Sequence, residues 1–203
     1  AWGVTREQEP PGDNNAVLKM FKVVQAIDGW AADFEKRCVY QSAIGPLIPK
    51  VNIGAIEGGA PFRPNYFPGV CSLYLDVRTP PELRPVQVQR ELRQVLSASG
   101  VEYDMEMYAS LMGYEAKGVE PLIEVVKQAY RNVCSKEPPP ANTFRASIWT
   151  DTNIYNEMGI PTLKFGLGGK KHAIRSEQID VEEIYVGAQV YALAAAEICN
   201  WEK

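Results

Sequence analysis

The pattern of apolar and polar positions predicts two helices and three strands in the first half of the chain. Apolar residues recur at helical spacing from Asn14 to Arg37 and from Glu82 to Ser97. Apolar and polar residues alternate, as in half-buried strands, over three segments: Val51–Glu57, Val70–Val77 and Val101–Met107. The resulting order, α-β-β-α-β, places two helices on one face of an antiparallel sheet and predicts an α+β, ferredoxin-like layer. The first strand of that motif is missing, and we expect it to lie before Ala1.

The second half of the chain predicts helices that alternate with strands. Helical spacing covers two segments, Leu122–Val133 and Val181–Cys199. The last helix is apolar on most sides, so we expect it to pack between layers. Two segments have the character of strands, a short one at Thr143–Trp149 and a buried one at Pro161–Phe165. This alternation is typical of the edge of an α/β sheet, and the change of pattern predicts two domains, residues 1–113 and residues 114–203.

Composition and charge exclude several classes of protein. The chain has 203 residues, of which 46% are hydrophobic and 23% charged, as in ordinary soluble globular proteins. The net charge is −4 and no basic stripe is present, which argues against a nucleic-acid partner. No apolar run approaches the length of about 18 residues that a transmembrane helix needs, so we expect no membrane partner. The four cysteines stand far apart without a CxxC pair, which favours reduced thiols and a cytoplasmic location.

Two polar residues of the first half are candidates for binding a ligand. Asn65 precedes a turn proline, and Arg78 stands at the end of a predicted strand. The planar guanidinium of arginine can hold a carboxylate through two parallel hydrogen bonds. The plainer interpretation is a turn asparagine and a surface ion pair between Asp76 and Arg78, and spacing alone favours it.

A glycine-rich loop and the single histidine are the candidates in the second half. Gly166, Gly168 and Gly169 follow a predicted strand, and their backbone N–H groups could meet an anion or an oxyanion. His172 could act as a metal ligand or as an acid–base group. The plainer interpretation is again structural, with glycines that make a turn and a solvated histidine beside Lys171.

The order of these motifs resembles the family of zinc metallopeptidases that includes aminoacylase, acetylornithine deacetylase, succinyl-diaminopimelate desuccinylase and glutamate carboxypeptidase. The resemblance extends through nearly the whole chain. It rests on short motifs in a fixed order: Asn65-x-x-Pro68, Leu73-x-Leu75-Asp76-Val77-Arg78, Thr150-Asp151, Gly159-Ile160-Pro161-Thr162, Phe165-Gly166-x-Gly168-Gly169, His172 with Ser176-Glu177, and Val181-Glu182-Glu183-Ile184.

The resemblance implies a two-domain hydrolase in which a ferredoxin-like lid is inserted into a catalytic α/β domain. Residues 1–113 would be the lid, through which the enzyme forms a homodimer, and residues 114–203 would be the C-terminal segment of the catalytic domain. The residues implied to bind substrate are Asn65, Arg78, Gly166, Gly168 and Gly169. Arg78 would hold the substrate carboxylate, and His172 would be the last metal ligand. Two divalent metal ions, zinc in this family, would activate a water molecule and polarise the amide carbonyl.

Several parts of the family pattern do not occur in these 203 residues. The H-x-D ligand pair, the bridging aspartate, the double-glutamate base and the fourth carboxylate ligand of the family all precede the lid, and none of them is present. The family places its terminal histidine four residues before a glutamate, whereas His172 lies five residues before Glu177. Ala173 occupies the position of the ligand. We therefore expect no catalytic residue in this chain, no metal ion held stably by it and no activity from the chain alone.

Two functional hypotheses follow from the sequence. The first is a portion of a metal-dependent hydrolase that cleaves an amide bond in N-acyl amino acids or small peptides. The second is a non-catalytic dimerisation or ligand-binding module, because ferredoxin-like layers often pair through their edge strands. An H-x-D motif followed by a double glutamate upstream of Ala1 would favour the first hypothesis.

Overall fold

The computed structural model describes residues 15–140, 149–166 and 178–199. Within these ranges the chain is mixed helix and strand, which confirms the predicted α+β class. The elements follow in the order α1 (Ala16–Arg37), β1 (Tyr40–Ser42), β2 (Gly45–Leu47), β3 (Lys50–Gly58), β4 (Cys71–Arg78), α2 (Pro85–Ala98), α3 (Glu120–Cys134), α4 (Thr152–Glu157) and α5 (Val181–Ile198). They belong to two compact units, one formed by residues 15–114 and the other by the described residues from 115 onward.

The first unit places two helices against one face of a two-stranded antiparallel sheet. β3 and β4 pair along their whole length, from Lys50 opposite Arg78 to Gly58 opposite Cys71. Alternate apolar residues of the two strands pack against the helices: Val51, Ile53, Leu73, Leu75 and Val77. Buried side chains of α1 and α2 form the rest of this core: Val23, Ile27, Trp30, Phe34, Val88, Leu92 and Leu96. The helix–strand–strand–helix part of the predicted order is therefore present.

Both ends of α1 are stabilised by local chemistry. The Asn15 Oδ1 atom accepts hydrogen bonds from the N–H groups of Val17 at 3.0 Å and Leu18 at 3.2 Å. Such a cap satisfies amide donors that have no partner within the first helical turn. Lys36 and Arg37 occupy the last turn, where positive charge interacts favourably with the helix dipole. The helix therefore begins two residues after the start that the apolar pattern predicts.

Two features of the first unit differ from the prediction. A small hairpin of β1 and β2 precedes β3, and each of its strands is 3 residues long, which is too short to produce a recognisable alternation. The segment 101–107 is predicted as a strand but has no strand partner among the described residues. Val101, Tyr103 and Met105 nevertheless pack against the core, as the alternation predicts. A strand needs a hydrogen-bonded neighbour. The sequence pattern lacks the first strand of the ferredoxin-like motif.

The second unit is built on the contact between α3 and α5. Ala129 of α3 and two residues of α5, Val190 and Ala194, are buried there. The prediction that α5 packs between two layers is wrong for the described residues, because only one of its faces is buried. Six of its large apolar side chains remain exposed: Val181, Ile184, Tyr185, Tyr191, Leu193 and Ile198.

The strands predicted for the second half are not found in the described part of the chain. Pro161–Phe165 has no strand partner there, and none of its residues is buried, so the prediction of a buried strand is wrong for these residues. The predicted strand Thr143–Trp149 lies outside the described residues except for Trp149, which is exposed. A short apolar run can form a strand only where a neighbouring strand offers hydrogen bonds.

All four cysteines are free thiols, as the sequence predicts: Cys38, Cys71, Cys134 and Cys199. In the part of the chain that the structure describes, no helix has the length and apolar character needed to span a bilayer.

Candidate functional site

Asn65 lies exposed in the loop that connects β3 to β4. The Tyr66 N–H donates to the Arg63 carbonyl oxygen at 3.1 Å and closes a tight turn around Asn65. The Ala16 N–H donates to the Pro68 carbonyl oxygen at 2.8 Å, which joins the loop to the start of α1. The backbone on both sides of Asn65 is thus fixed by hydrogen bonds while its side-chain amide faces solvent.

Arg78 ends β4 and carries an ion pair with Asp76. Its Nε and Nη2 atoms both donate to the Asp76 Oδ2 atom, each at 2.9 Å. The two side chains are 43% and 51% exposed, so the pair itself contributes little to stability. The surface pair of the plainer interpretation is therefore present. The same pair fixes the orientation of the guanidinium, and binding of a substrate carboxylate by Arg78 stays a prediction.

The two candidate residues lie at opposite ends of the β3–β4 hairpin. The loop with Asn65 follows the pair formed by Gly58 and Cys71, whereas Arg78 pairs with Lys50 at the other end. β4 is 8 residues long, which corresponds to roughly 25 Å at about 3.3 Å per residue. We therefore expect a small ligand in contact with Arg78 of one copy of the chain not to reach Asn65 of that copy.

The end of the hairpin that carries Arg78 is held rigidly. The Val51 N–H donates to the Glu35 Oε1 atom of α1 at 2.9 Å, next to the start of β3. Beyond Arg78 the chain passes through Pro80, which is buried. Gly113 packs so closely there that a Cβ atom on it would lie 2.8 Å from the Pro80 carbonyl carbon.

Lys50 stands directly across the strand pair from Arg78, a neighbour that sequence reasoning missed. Residues directly opposite each other in an antiparallel pair have their side chains on the same face. The only sequence signal is a lysine directly before a predicted strand, and its neighbour becomes known only from the strand register.

Two tyrosines hold the residue that precedes the glycine-rich loop. The Phe165 ring contacts Tyr130 of α3 and Tyr191 of α5 edge-on, with ring centroids 6.2 Å and 5.7 Å apart. The Tyr191 hydroxyl also donates to the Phe165 carbonyl oxygen at 2.5 Å. These contacts fix the chain directly before Gly166, which is exposed.

The other candidates of the second half cannot be placed. Gly168, Gly169 and His172 lie outside the described residues. Among the residues that are described, no three histidine, cysteine, aspartate or glutamate side chains are grouped so that they could hold a metal ion. The described residues by themselves therefore do not fit a two-metal centre.

A partly exposed charge cluster joins α1 to α2. The Glu91 carboxylate accepts hydrogen bonds from Trp30 Nε1 at 3.0 Å and from Arg37, whose Nε atom also donates to Asp33 at 2.7 Å. Burial alone would raise the pKa of Glu91, but the hydrogen bonds from Arg37 and Trp30 outweigh it, and the pKa lies below its ordinary value. The cluster connects the two helices.

Comparison with known proteins agrees with the motif order. Residues 9–197 match a family model described as Peptidase family M20/M25/M40. A succinyl-diaminopimelate desuccinylase from Magnetococcus marinus is 28% identical over 127 residues, which cover 63% of this chain and 32% of that protein. The matched segment is thus about a third of the length of that relative. Because the family match includes most of the sequence, the chain belongs to peptidase family M20/M25/M40, a family of hydrolases.

Proposed function

We propose that this chain is part of a metal-dependent hydrolase that cleaves an amide bond in N-acyl amino acids or small peptides. Family membership over residues 9–197 carries the proposal. The similarity to a protein named as a desuccinylase supports it, since that name denotes removal of an acyl group.

The exposed polar residues of this chain would bind and orient the substrate. Arg78, whose guanidinium is oriented by Asp76, would hold the substrate carboxylate through charge-assisted hydrogen bonds. Asn65 would donate or accept through its exposed amide. The backbone N–H groups of the glycine-rich loop, at Gly166, Gly168 and Gly169, would face the oxygen of the scissile carbonyl.

The metal centre would be completed by polypeptide that this chain does not supply. His172 would contribute one ligand to a pair of divalent ions, for which we propose zinc. Bound metal ions of this kind activate water and polarise carbonyl groups. We assign no catalytic residue to this chain and expect it to be inactive alone, because the H-x-D pair, the bridging aspartate, the double-glutamate base and the fourth carboxylate ligand of the family do not occur in its sequence.

The separation of Asn65 and Arg78 supports a homodimer formed through residues 1–113, the proposed lid. If both side chains contact one small substrate, they must come from different copies, because roughly 25 Å separates the two ends of β4. A symmetric dimer would place one residue of each kind at each of two equivalent sites. We place this dimer in the cytoplasm, with its cysteines as free thiols.

The exposed surface of the second unit supports its assignment as a segment of a larger catalytic domain. Its buried cluster consists of Ala129, Val190 and Ala194. Large apolar side chains stay exposed on α5 and also around α4: Trp149, Ile154, Tyr155, Met158 and Ile160. Exposed apolar groups of this number on a small unit mark a surface that packs against further polypeptide.

The proposal is tested by measuring metal content and amidase activity in two proteins. One is the 203-residue chain, and the other is a longer protein that includes its upstream polypeptide. We expect the longer protein to bind about two zinc ions and to hydrolyse an N-acyl amino acid, and the 203-residue chain to do neither. His172→Ala in the longer protein should reduce the zinc content. Tight stoichiometric zinc and turnover by the 203-residue chain would contradict the assignment, and a longer protein with neither property would favour the non-catalytic module.

A further inference from the structure

We propose that Asn156 is a positioning residue that fixes the direction in which the chain enters the glycine-rich loop. The inference rests on the proposed function, in which the N–H groups of that loop face the oxygen of the scissile carbonyl. It deepens that function by adding a residue that acts through the loop and does not itself touch the substrate.

A single side-chain amide joins α4 to the segment that leads into the loop. The half-buried Asn156 Nδ2 atom donates to the Thr152 carbonyl oxygen at 2.8 Å and to the Thr162 carbonyl oxygen at 3.1 Å. Thr152 opens α4 directly after the Thr150-Asp151 motif, and Thr162 ends the motif that begins at Gly159. The amide thus connects two sequence motifs that no other step of the proposed function uses.

The turn that follows α4 makes these contacts possible. Gly159 has a φ of +78°, in the left-handed region that favours glycine. Its N–H donates to the Asn156 carbonyl oxygen at 3.0 Å, and the Ile160 N–H donates to the Tyr155 carbonyl oxygen at 2.9 Å. The turn therefore ends the helix and brings Thr162 back beside Asn156.

Two anchors three residues apart fix both the position and the direction of the chain before the loop. Asn156 holds the Thr162 carbonyl, and the Tyr191 hydroxyl donates to the Phe165 carbonyl at 2.5 Å. The segment between them has no strand partner among the described residues, so these hydrogen bonds act where a sheet ladder would hold a strand. With Tyr191 alone the chain can pivot at Phe165, and the N–H groups from Gly166 onward lose their orientation.

NMR relaxation of the backbone N–H groups of the 203-residue chain tests the anchor without any need for catalysis. We expect the order parameter of the Gly166 N–H to fall from about 0.85, typical of rigid backbone, to about 0.6 in Asn156→Ala. Asn156→Asp keeps the shape of the side chain but cannot donate at neutral pH, so it should have the same effect. The matched control is Asn132→Ala, at an exposed position of α3, which should change nothing at Gly166.

Three results would overturn the anchor. The first is an unchanged order parameter at Gly166 in Asn156→Ala, and the second is a native value there in Asn156→Asp. The third is an equal fall at the buried Val190 of α5, because the substitution would then loosen the whole unit and not the entry to the loop.

Hydrolysis by the longer protein separates the positioning role from a loss of folded protein and from the proposed function. Asn156→Ala should lower kcat per bound zinc ion about tenfold and leave KM within about twofold, because misaligned N–H groups stabilise the transition state less. A merely structural role would lower the zinc content and leave kcat per bound zinc unchanged, which would overturn the inference while hydrolysis itself stands. A longer protein that hydrolyses no N-acyl compound, with the order of Gly166 still dependent on Asn156, would reject the proposed function and leave the anchor supported.

Discussion

The surroundings of Arg78 come partly from local sequence and partly from strand register. Asp76 lies two positions before Arg78 on the same strand, so their pair follows from alternation alone, as the sequence predicts. Lys50 comes from a different strand, and a bulge at Gly54 shifts the register between them. Counting residues back from the loop therefore gives the wrong neighbour, and the residue opposite Arg78 could not be predicted from the sequence.

Substitution of Gly113 by alanine should destabilise the first unit. An added Cβ would lie 2.8 Å from backbone atoms of both Pro80 and Pro81, which cannot move aside as a flexible side chain can. We expect a loss of about 2 kcal/mol in the free energy of unfolding, as for other overpacked sites. Urea denaturation measures it.

Gly29→Ala provides the matched control for that experiment. Gly29 is in the middle of α1, and a Cβ there would meet nothing within 4 Å. Alanine should increase the free energy of unfolding by about 0.5–1 kcal/mol, because it favours the helix more than glycine does. Equal effects of the two substitutions would show that the contact of Gly113 with the prolines is not tight.

Glu91 should give the first unit a pH-dependent stability. The pKa of its carboxyl is lowered below the ordinary value of 4.5 in the folded chain. The stabilisation is therefore complete above the pKa of the unfolded chain and is lost as the pH falls through the lower, folded pKa. At neutral pH, Glu91→Gln should cost about 1 kcal/mol, the value typical of a hydrogen bond to a charged group near the surface.

Urea denaturation at several pH values measures the difference in the free energy of unfolding between the unmodified chain and Glu91→Gln. We expect this difference to shrink as the pH falls below about 4.5. Glu124→Gln is the control, because Glu124 pairs with Lys127 on the exposed face of one helix. We expect no measurable change from it. A difference for Glu91→Gln that does not depend on pH would mean that the cluster with Arg37 and Trp30 does not stabilise the ionised form.

Helices were predictable because their pattern is local, whereas strands depend on a partner. The apolar spacing places α1, α3 and α5 within two residues of their observed bounds at both ends. α2 starts later than the pattern suggests, at Pro85, since a proline fits the first helical position, where its missing N–H is not needed. β3 and β4 form because each is the partner of the other, while the equally regular alternation of 101–107 finds no partner among the described residues.

Tyr191→Phe should weaken the contact between α5 and the chain before the glycine-rich loop. The substitution removes the hydroxyl that donates to the Phe165 carbonyl at 2.5 Å but leaves the ring contact. We expect the second unit to lose about 1 kcal/mol in the free energy of unfolding. Tyr185→Phe on the same helix is the control, since Tyr185 is 67% exposed and should have no effect. If both variants lose equal stability, the hydroxyl of Tyr191 has no special role in holding Phe165.

The distribution of apolar side chains explains why the whole molecule is harder to predict than its parts. In the first unit the apolar residues of the predicted helices and strands are largely buried, so sequence pattern and core agree. In the second unit α5 has apolar residues on most sides, yet only one face is buried among the described residues. A pattern predicts that a surface will be covered but does not identify the segment that covers it. The sequence likewise suggests Asn65 and Arg78 as site residues. That they lie at opposite ends of a hairpin becomes known only from the pairing of β3 with β4.

The exposed face of α5 gives a direct test of whether the second unit packs against further polypeptide. Ile184 is 49% exposed in this chain, so Ile184→Ser should change the free energy of unfolding of the 203-residue chain by no more than about 0.5 kcal/mol. In the longer protein the same substitution should cost about 2 kcal/mol, because the side chain would then be buried against the rest of the catalytic domain. Val190→Ala, at a position only 1% exposed, should destabilise both proteins to a similar extent and serves as the control. Urea denaturation of the two variants in each protein measures these changes in the free energy of unfolding. An equally small effect of Ile184→Ser in both proteins would show that this face of α5 stays in contact with solvent in the longer protein.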